Sequence, residues 1–107
     1  MAGKFTVFTG KNGKVYFNLK ASNGEIILAS QGYADKGGAR NGIESVRVNA
    51  PKAERCEKKA ASNGKFHFNL LAGNSQVIGT SETYETERAR DAGIASVMKN
   101  APDAALE

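Results

Sequence analysis

The chain has 107 residues, of which 40% are hydrophobic and 24% charged. This length fits one small domain with a modest core. No apolar run approaches the roughly 18 residues of a membrane-spanning helix, and the first residues lack the apolar stretch of a secretory signal. A single cysteine, Cys56, excludes an internal disulfide and a zinc site built from four cysteines. We therefore expect a cytoplasmic monomer without a membrane segment, metal or cofactor.

The charge is unevenly distributed along the chain. Residues 1–53 hold 8 basic and 3 acidic side chains, a net charge of +5, whereas residues 54–107 hold 7 and 8, a net charge of −1. A basic half attracts nucleic acid or another anionic surface. Because no run of lysines or arginines exceeds two residues, a solvated surface of uneven sign is the simpler interpretation.

The sequence repeats itself at an offset of 51 residues. Residues 12–53 align with 63–104 without a gap, and 19 of the 42 pairs are identical. Asn-Gly-Lys, Phe-Asn-Leu-x-Ala and Gly-Ile-x-Ser-Val occur once in each copy, as does a tyrosine before the third motif. This similarity predicts a tandem duplication, in which two units of about 50 residues must share a core to be stable.

Apolar and polar residues alternate within each unit, as is typical of strands. In chain order, strands are predicted at 4–9, 14–21 and 25–30, and then at 55–59, 65–72 and 76–81. Asn12-Gly13 and Asn63-Gly64 predict two-residue hairpins with type I′ turns, since both residue types tolerate a positive φ. Asn74-Ser75 and, more strongly, Asn23-Gly24 predict a second two-residue hairpin in each unit. In that register Lys20 faces Ile27, which puts Ile27 and its counterpart Ile78 on the outer face.

A helix is predicted after the third strand of each unit. Asp35 and Thr86 are suited to cap the helix N-termini, and apolar residues then recur at helical spacing. Each helix contains a glycine, which predicts that a neighbouring backbone passes close by. Each helix also ends at an asparagine that can adopt the left-handed conformation before a proline. These residues are Gly42 and Gly93, and Asn49 and Asn100.

The duplicated unit resembles the YegP-like family of bacterial proteins, on the motifs quoted above. The resemblance implies two β-β-β-α-β units that exchange their last strands, with residues 53–59 as the linking strand. It implies no activity, substrate or site residue. The expected fold is α+β, with one antiparallel sheet, both helices on one face and a pseudo-twofold axis. Residues 1–53 and 54–105 form the two units of one integrated domain, and we expect residues 106–107 to derive from a vector.

The candidate binding residues lie on the outward strand face or at the entrance to a helix. They are Tyr16, Asn18, Lys20, Lys14, His67, Asn69, Tyr33 and Tyr84. Most of them recur in both units, and each also has a structural interpretation, such as hydrogen bonding to a neighbouring strand. Cys56 and His67 occur in only one unit and lack the partners of a catalytic set, so no catalytic residue is assigned.

Three functions remain open at this point. The favoured one is a non-enzymatic binding module that holds an anionic ligand, such as nucleic acid, on the sheet face of the first unit. Its basic residues would be Lys11, Lys14, Lys20, Arg40 and Arg47. The alternatives are an adaptor that pairs with a protein partner through a sheet edge, and an enzyme that uses Cys56 or His67.

Overall fold

A computed structural model describes residues 3–60 and 63–106. In chain order the elements are β1 (Lys4–Thr9), β2 (Val15–Lys20), β3 (Ile26–Ala29), α1 (Lys36–Asn49), β4 (Cys56–Ala60), β5 (Phe66–Leu71), β6 (Val77–Thr80), α2 (Glu87–Asn100) and β7 (Ala105–Leu106). A short 3₁₀ turn follows each helix, at Ala53–Arg55 and Ala101–Asp103. The predicted α+β class is confirmed, and the charged segment that opens the second unit forms a strand.

The strands form one sheet in the order β4-β5-β6-β3-β2-β1-β7. The two units meet at its centre, where β3 and β6 are antiparallel and Ala29 faces Thr80. The strand that follows α1 pairs with β5 of the second unit, and the strand that follows α2 pairs with β1 of the first. The exchange of last strands that the family resemblance implied is therefore confirmed.

The last strand corrects two expectations. It runs parallel to β1, with Leu106 opposite Phe5, so the sheet is mixed rather than wholly antiparallel. The direction follows from where the chain leaves α2, since the N–H of Ala105 donates to the carbonyl of Gly3 over 3.2 Å at the start of β1. Leu106 thus belongs to the fold, although the sequence-based prediction left it out. A vector origin of residues 106–107 stays a prediction, and residue 107 lies outside the described ranges.

Both helices pack on one face of the sheet and enclose a single core. Helix α1 contacts β2, β5 and β6, and α2 contacts β3 and β5, so each helix bridges strands of both units. The largest fully buried side chains come from both units as well: Phe5, Phe17, Leu19, Leu28, Ile43, Val46, Phe68, Leu70 and Val97. Each helix has 14 residues, and no helix in the described ranges is long and apolar enough to cross a membrane.

Three of the hairpin loops, at 11–13, 22–24 and 73–75, hold three residues rather than two. In the first loop, the N–H of Gly13 donates to the carbonyl of Gly10 over 3.0 Å, and φ of Gly13 is +81°. This is a type I turn followed by a left-handed residue. Asn12 keeps a negative φ, and its side-chain oxygen accepts the N–H of Lys14 over 3.0 Å. The type I′ turn predicted at Asn12-Gly13 is therefore wrong, whereas the loop of Asn63-Gly64 includes residues outside the described ranges. Ser75, with φ of +69°, takes the left-handed position in the loop at 73–75.

A β-bulge in the second hairpin of each unit turns an isoleucine inward. The cross-strand partner of Lys20 is Ile26, and Ile27 is an extra residue of β3. Ile27 lies in the core, and Ile78, at the equivalent bulge, is partly buried against it. The predicted outward placement of both isoleucines is wrong, because the extra residue resets the alternation of faces.

The helix ends agree with the prediction at one end only. The Asp35 carboxylate accepts the N–H of Gly38 over 2.8 Å, and Thr86 caps α2 in the same way, so both predicted N-caps are confirmed. Asn49 and Asn100 do not adopt the predicted left-handed conformation. Their side-chain N–H groups donate instead to the carbonyl of the serine one turn back, each over 2.8 Å, and so hold the last helical turn.

We expect Phe17→Ala and Phe68→Ala each to destabilise the whole chain, because both rings are fully buried in one core. Truncation of a buried Phe costs about 3–5 kcal/mol, a large part of the stability of a small domain. Thermal unfolding followed by circular dichroism should show a single transition at lower temperature, whereas Phe8→Ala, at an exposed ring, should shift it little. Melting of one unit while the other stays folded would contradict the shared core.

Candidate binding face of the sheet

The face of the sheet opposite the helices is crossed by one row of residues, and we call it the open face. From β4 to β1 the row is Glu57, Asn69, Thr80, Ala29, Asn18 and Thr6, each facing the next across a strand pair. The buried residues that alternate with them, such as Phe17 and Phe68, point toward the helices. Asn18 and Asn69 therefore both lie on the side of the sheet that the two helices leave uncovered.

An aromatic pair lies at one end of the open face. Phe8 and Tyr16 face each other across β1 and β2, and their rings stack with centroids 5.7 Å apart and an interplanar angle of 16°. Phe8 is 45% exposed. The Tyr16 hydroxyl accepts from Asn12 Nδ2 over 2.9 Å, and the ring lies close over Gly10 and Gly32. Phe8 was not predicted, although the alternation of β1 puts it on the same face as Tyr16.

The lysines of the two units differ in their ion pairing. Three lysines of the second unit have carboxylate partners at 3.3 to 3.7 Å: Lys58 with Asp91, Lys59 with Glu57, and Lys65 with Glu85. Lys14 and Lys20 of the first unit have no ion-pair partner among the described residues. One cause is local, because Ala34 stands in the first unit where Glu85 stands in the second. The stem of Lys14 lies beside the Tyr16 ring above Gly32, so this unpaired charge adjoins the aromatic pair.

The two asparagines of the row have different partners. Asn69 donates to Glu57 Oε1 over 3.3 Å and accepts from the hydroxyl of Thr80 over 3.0 Å. Asn18 faces Ala29 where Asn69 faces Thr80, and its side-chain amide forms no hydrogen bond within the described ranges. The side-chain amide of Asn18 is therefore open to a ligand, whereas that of Asn69 is engaged within the protein.

His67 and Cys56 lie on opposite faces of the sheet. His67 faces Lys59 on the open face, at the position that the aromatic pair holds in the first unit. Cys56 is half-buried against the core on the helix side, where burial raises the pKa of its thiol and the Lys58 ammonium partly offsets the rise. The two side chains thus do not form a nucleophile–base pair. No group of three His, Cys, Asp or Glu within the described ranges could hold a metal ion.

Tyr33 and Tyr84 do not join the open face. Tyr33 stacks on the core ring of Phe17 with centroids 6.0 Å apart, and its hydroxyl lies against Gly42 of α1. Tyr84 makes the same contact with the equivalent glycine of α2. The close neighbour predicted at these glycines is therefore a tyrosine side chain and not a backbone. A Cβ at either position would collide with the tyrosine, which explains why glycine recurs inside both helices.

The chain matches twice the family described as a domain of unknown function (DUF1508), over residues 11–57 and 61–107. The chain belongs to this family. It is also 55% identical over 104 residues to the "UPF0339 protein in ptx operon 5'region" of Stutzerimonas stutzeri, which spans 97% of this chain and 94% of that protein.

Two solved structures share the DUF1508 fold described above. The solution NMR structure of yegP from E. coli, a protein of unknown function, has a TM-score of 0.94 at 50% identity and covers 100% of this chain and 92% of that one. The solution NMR structure of a UPF0339 protein from Shewanella oneidensis has a TM-score of 0.93 at 47% identity and covers 100% and 91%. The predicted YegP-like resemblance is confirmed. None of these names states an activity.

Stability at high pH tests the burial of the two tyrosines of this DUF1508 chain. Burial raises the pKa of Tyr33 and of Tyr84 above the usual 10.0, and the charges of Glu82 and Glu25 raise that of Tyr84 further. The folded protein therefore retains both phenolic protons to higher pH than the unfolded chain. Their contribution to the free energy of unfolding is fully present below about pH 10 and is lost as the pH rises through the folded-state pKa values.

We expect urea unfolding of the Tyr33→Phe/Tyr84→Phe variant to lose less stability between about pH 9 and 11 than wild type does, because phenylalanine has no proton to lose. Comparing the two proteins at each pH removes the effect of all other titrating groups. Parallel stability curves across this range would contradict the inferred burial.

Proposed function

We propose that this protein is a small, non-enzymatic binding module that holds single-stranded nucleic acid on the first-unit half of its open face. The proposal is carried by the exposed stack of Phe8 on Tyr16 beside Lys14 and Lys20, which have no ion-pair partner among the described residues. Aromatic rings on a sheet face stack with bases, and lysines neutralise phosphates. A cytosolic location fits this function and a chain with a single cysteine.

The order of side chains along β2 supports the same ligand. Tyr16, Asn18 and Lys20 follow one another on the open face, with about 6.8 Å between neighbours because they are spaced two residues apart along the strand. They present in turn an aromatic ring, an amide with both donor and acceptor groups, and a cation. An extended strand of nucleotides offers base faces, base edges and phosphates in a similar succession, so one strand can meet all three groups.

The second-unit half of the open face is less suited to an anion. Glu57 lies at the edge of the row there, forms an ion pair with Lys59 over 3.7 Å and binds the amide of Asn69. An incoming phosphate would have to compete with that carboxylate for both groups. The net charges of residues 1–53 and 54–107, +5 and −1, also favour an anion on the first unit. We therefore expect the ligand to lie toward the first unit.

Fluorescence anisotropy with labelled single strands of DNA and RNA of about ten nucleotides tests the proposal, since such a length matches the footprint of small modules. We expect affinity to fall as salt rises. Phe8→Ala should weaken binding about tenfold, because a base loses its stacking platform. Lys14→Glu/Lys20→Glu should also weaken it, and should lower the slope of log affinity against log salt by about 0.7 for each lost phosphate contact.

Lys65→Glu provides the matched control, because Lys65 is the repeat counterpart of Lys14 but is paired with Glu85. It should change the affinity much less than Lys14→Glu does, and circular dichroism should show all variants folded. Wild-type affinity in both Phe8→Ala and the double lysine variant would exclude this face. Absence of binding to either strand type at low salt would reject the function itself.

A further inference from the structure

The two edges of the sheet are occupied differently. Beside β1, the Ala105–Leu106 strand pairs in parallel and forms the last strand of the sheet. The opposite edge is β4, and no strand of the described residues pairs with its outer side. The backbone N–H and C=O groups on that outer side are therefore available for an added strand.

The occupied edge shows how a peptide segment binds to this fold. Leu106 faces Phe5 across the parallel pair, and the carbonyl of Ala104 accepts a hydrogen bond from Arg47 over 2.8 Å. The Arg47 guanidinium also lies 5.4 Å from the centre of the Phe5 ring. Phe5 is fully buried, whereas Leu106 remains 45% exposed above it. The Phe5 ring thus fills the space into which a bound side chain would otherwise reach.

The same place beside β4 is an apolar cleft. The 51-residue offset replaces Phe5 with Cys56 and Arg47 with Met98, so a small thiol stands where the first unit has a ring. The resulting cleft between β4 and α2 has a volume of about 300 Å³. It is lined by Ala53, Cys56, Lys58, Asp91, Ile94, Ala95 and Met98. The two charged members lie 3.4 Å apart as an ion pair, so the remaining lining offers apolar surface and two sulfur atoms.

We propose that the β4 edge and this cleft together bind an extended peptide segment of a partner protein. The segment runs parallel to β4, as Leu106 runs parallel to β1, and inserts an aromatic side chain above Cys56. An aromatic ring fits because the space corresponds to the Phe5 ring of the first unit, and because the sulfur atoms of Cys56 and Met98 make favourable contacts with ring edges. This surface lies at the opposite edge of the sheet from Phe8, and its partner is recognised by shape and backbone pairing rather than by charge.

The test is an NMR titration of ¹⁵N-labelled protein, under reducing conditions, with an acetylated and amidated peptide. The peptide carries the chain's own sequence from Ala101 to Glu107 with phenylalanine in place of Leu106. We expect amide shift changes confined to β4 and to α2 near Ile94 and Met98. A peptide with alanine at that position should bind at least tenfold more weakly, and so should one with N-methylated backbone groups, which cannot add as a strand.

Two variants connect binding to the cleft. Cys56→Phe introduces the counterpart of Phe5, and Met98→Arg introduces the counterpart of Arg47. Each should fill the cleft and abolish the shift changes. Thermal unfolding shows whether each variant is folded, and one folded variant is sufficient for the test. Lys14→Glu/Lys20→Glu should bind the peptide as wild type does, which separates this proposal from nucleic-acid binding.

Three results would overturn the proposal. The first is wild-type peptide binding in a folded Cys56→Phe or Met98→Arg variant. The second is shift changes that map to the open face, or no shift changes at all. The third is a concentration-dependent dimer that Cys56→Phe abolishes in the absence of peptide, which would identify a second copy of this chain as the occupant.

Discussion

Leu28 and Gly79 hold equivalent positions in the two units, on the two strands that meet at the centre of the sheet. Leu28 is fully buried, and a Cβ on Gly79 would lie 2.7 Å from Leu28 Cδ2. Two leucines cannot share this space, so the first unit places a leucine there and the second unit a glycine. The shared core depends on this fit, because each helix packs on strands of both units across the same junction. The two units therefore differ at the centre of the sheet, where the pseudo-twofold axis passes between β3 and β6.

Residues that recur in both units mostly maintain the fold. The hydroxyl of Ser30 accepts the N–H of Phe17 over 2.9 Å and donates to the next carbonyl, and Ser81 does the same for Phe68. Recurrence had suggested ligand-binding positions, but most of the recurring residues bind or pack against their own unit. The surface features with a distinct chemistry lie where the units differ instead: Phe8 against Lys59, Tyr16 against His67, and Phe5 against Cys56.

The sequence predicted the duplication, the strands and the capped helices because each rests on a short-range pattern. It could not reveal the bulge, since Ile26, Ile27 and Leu28 are three consecutive apolar residues that fit either register. The three-residue loop moves the register by one residue and the bulge moves it back, which is why Asn18 still faces Ala29. The cleft beside β4 could not be predicted either, because it depends on which side chains of α2 pack above Cys56, and α2 is distant from Cys56 in the sequence.

The cleft also shows how duplication lets one unit lose core volume. Replacing a buried phenylalanine by a smaller residue costs several kcal/mol in a core that cannot collapse, and a single unit of about 50 residues has little stability to lose. In this chain the second unit shares its core with a first unit that retains Phe5 and Phe17 in edge-to-face contact, 5.8 Å apart. One unit can therefore lose core volume at an edge while the other supplies the packing that keeps both folded. The same coupling means that a ligand on either surface stabilises the entire chain, because neither unit unfolds without exposing the core of the other.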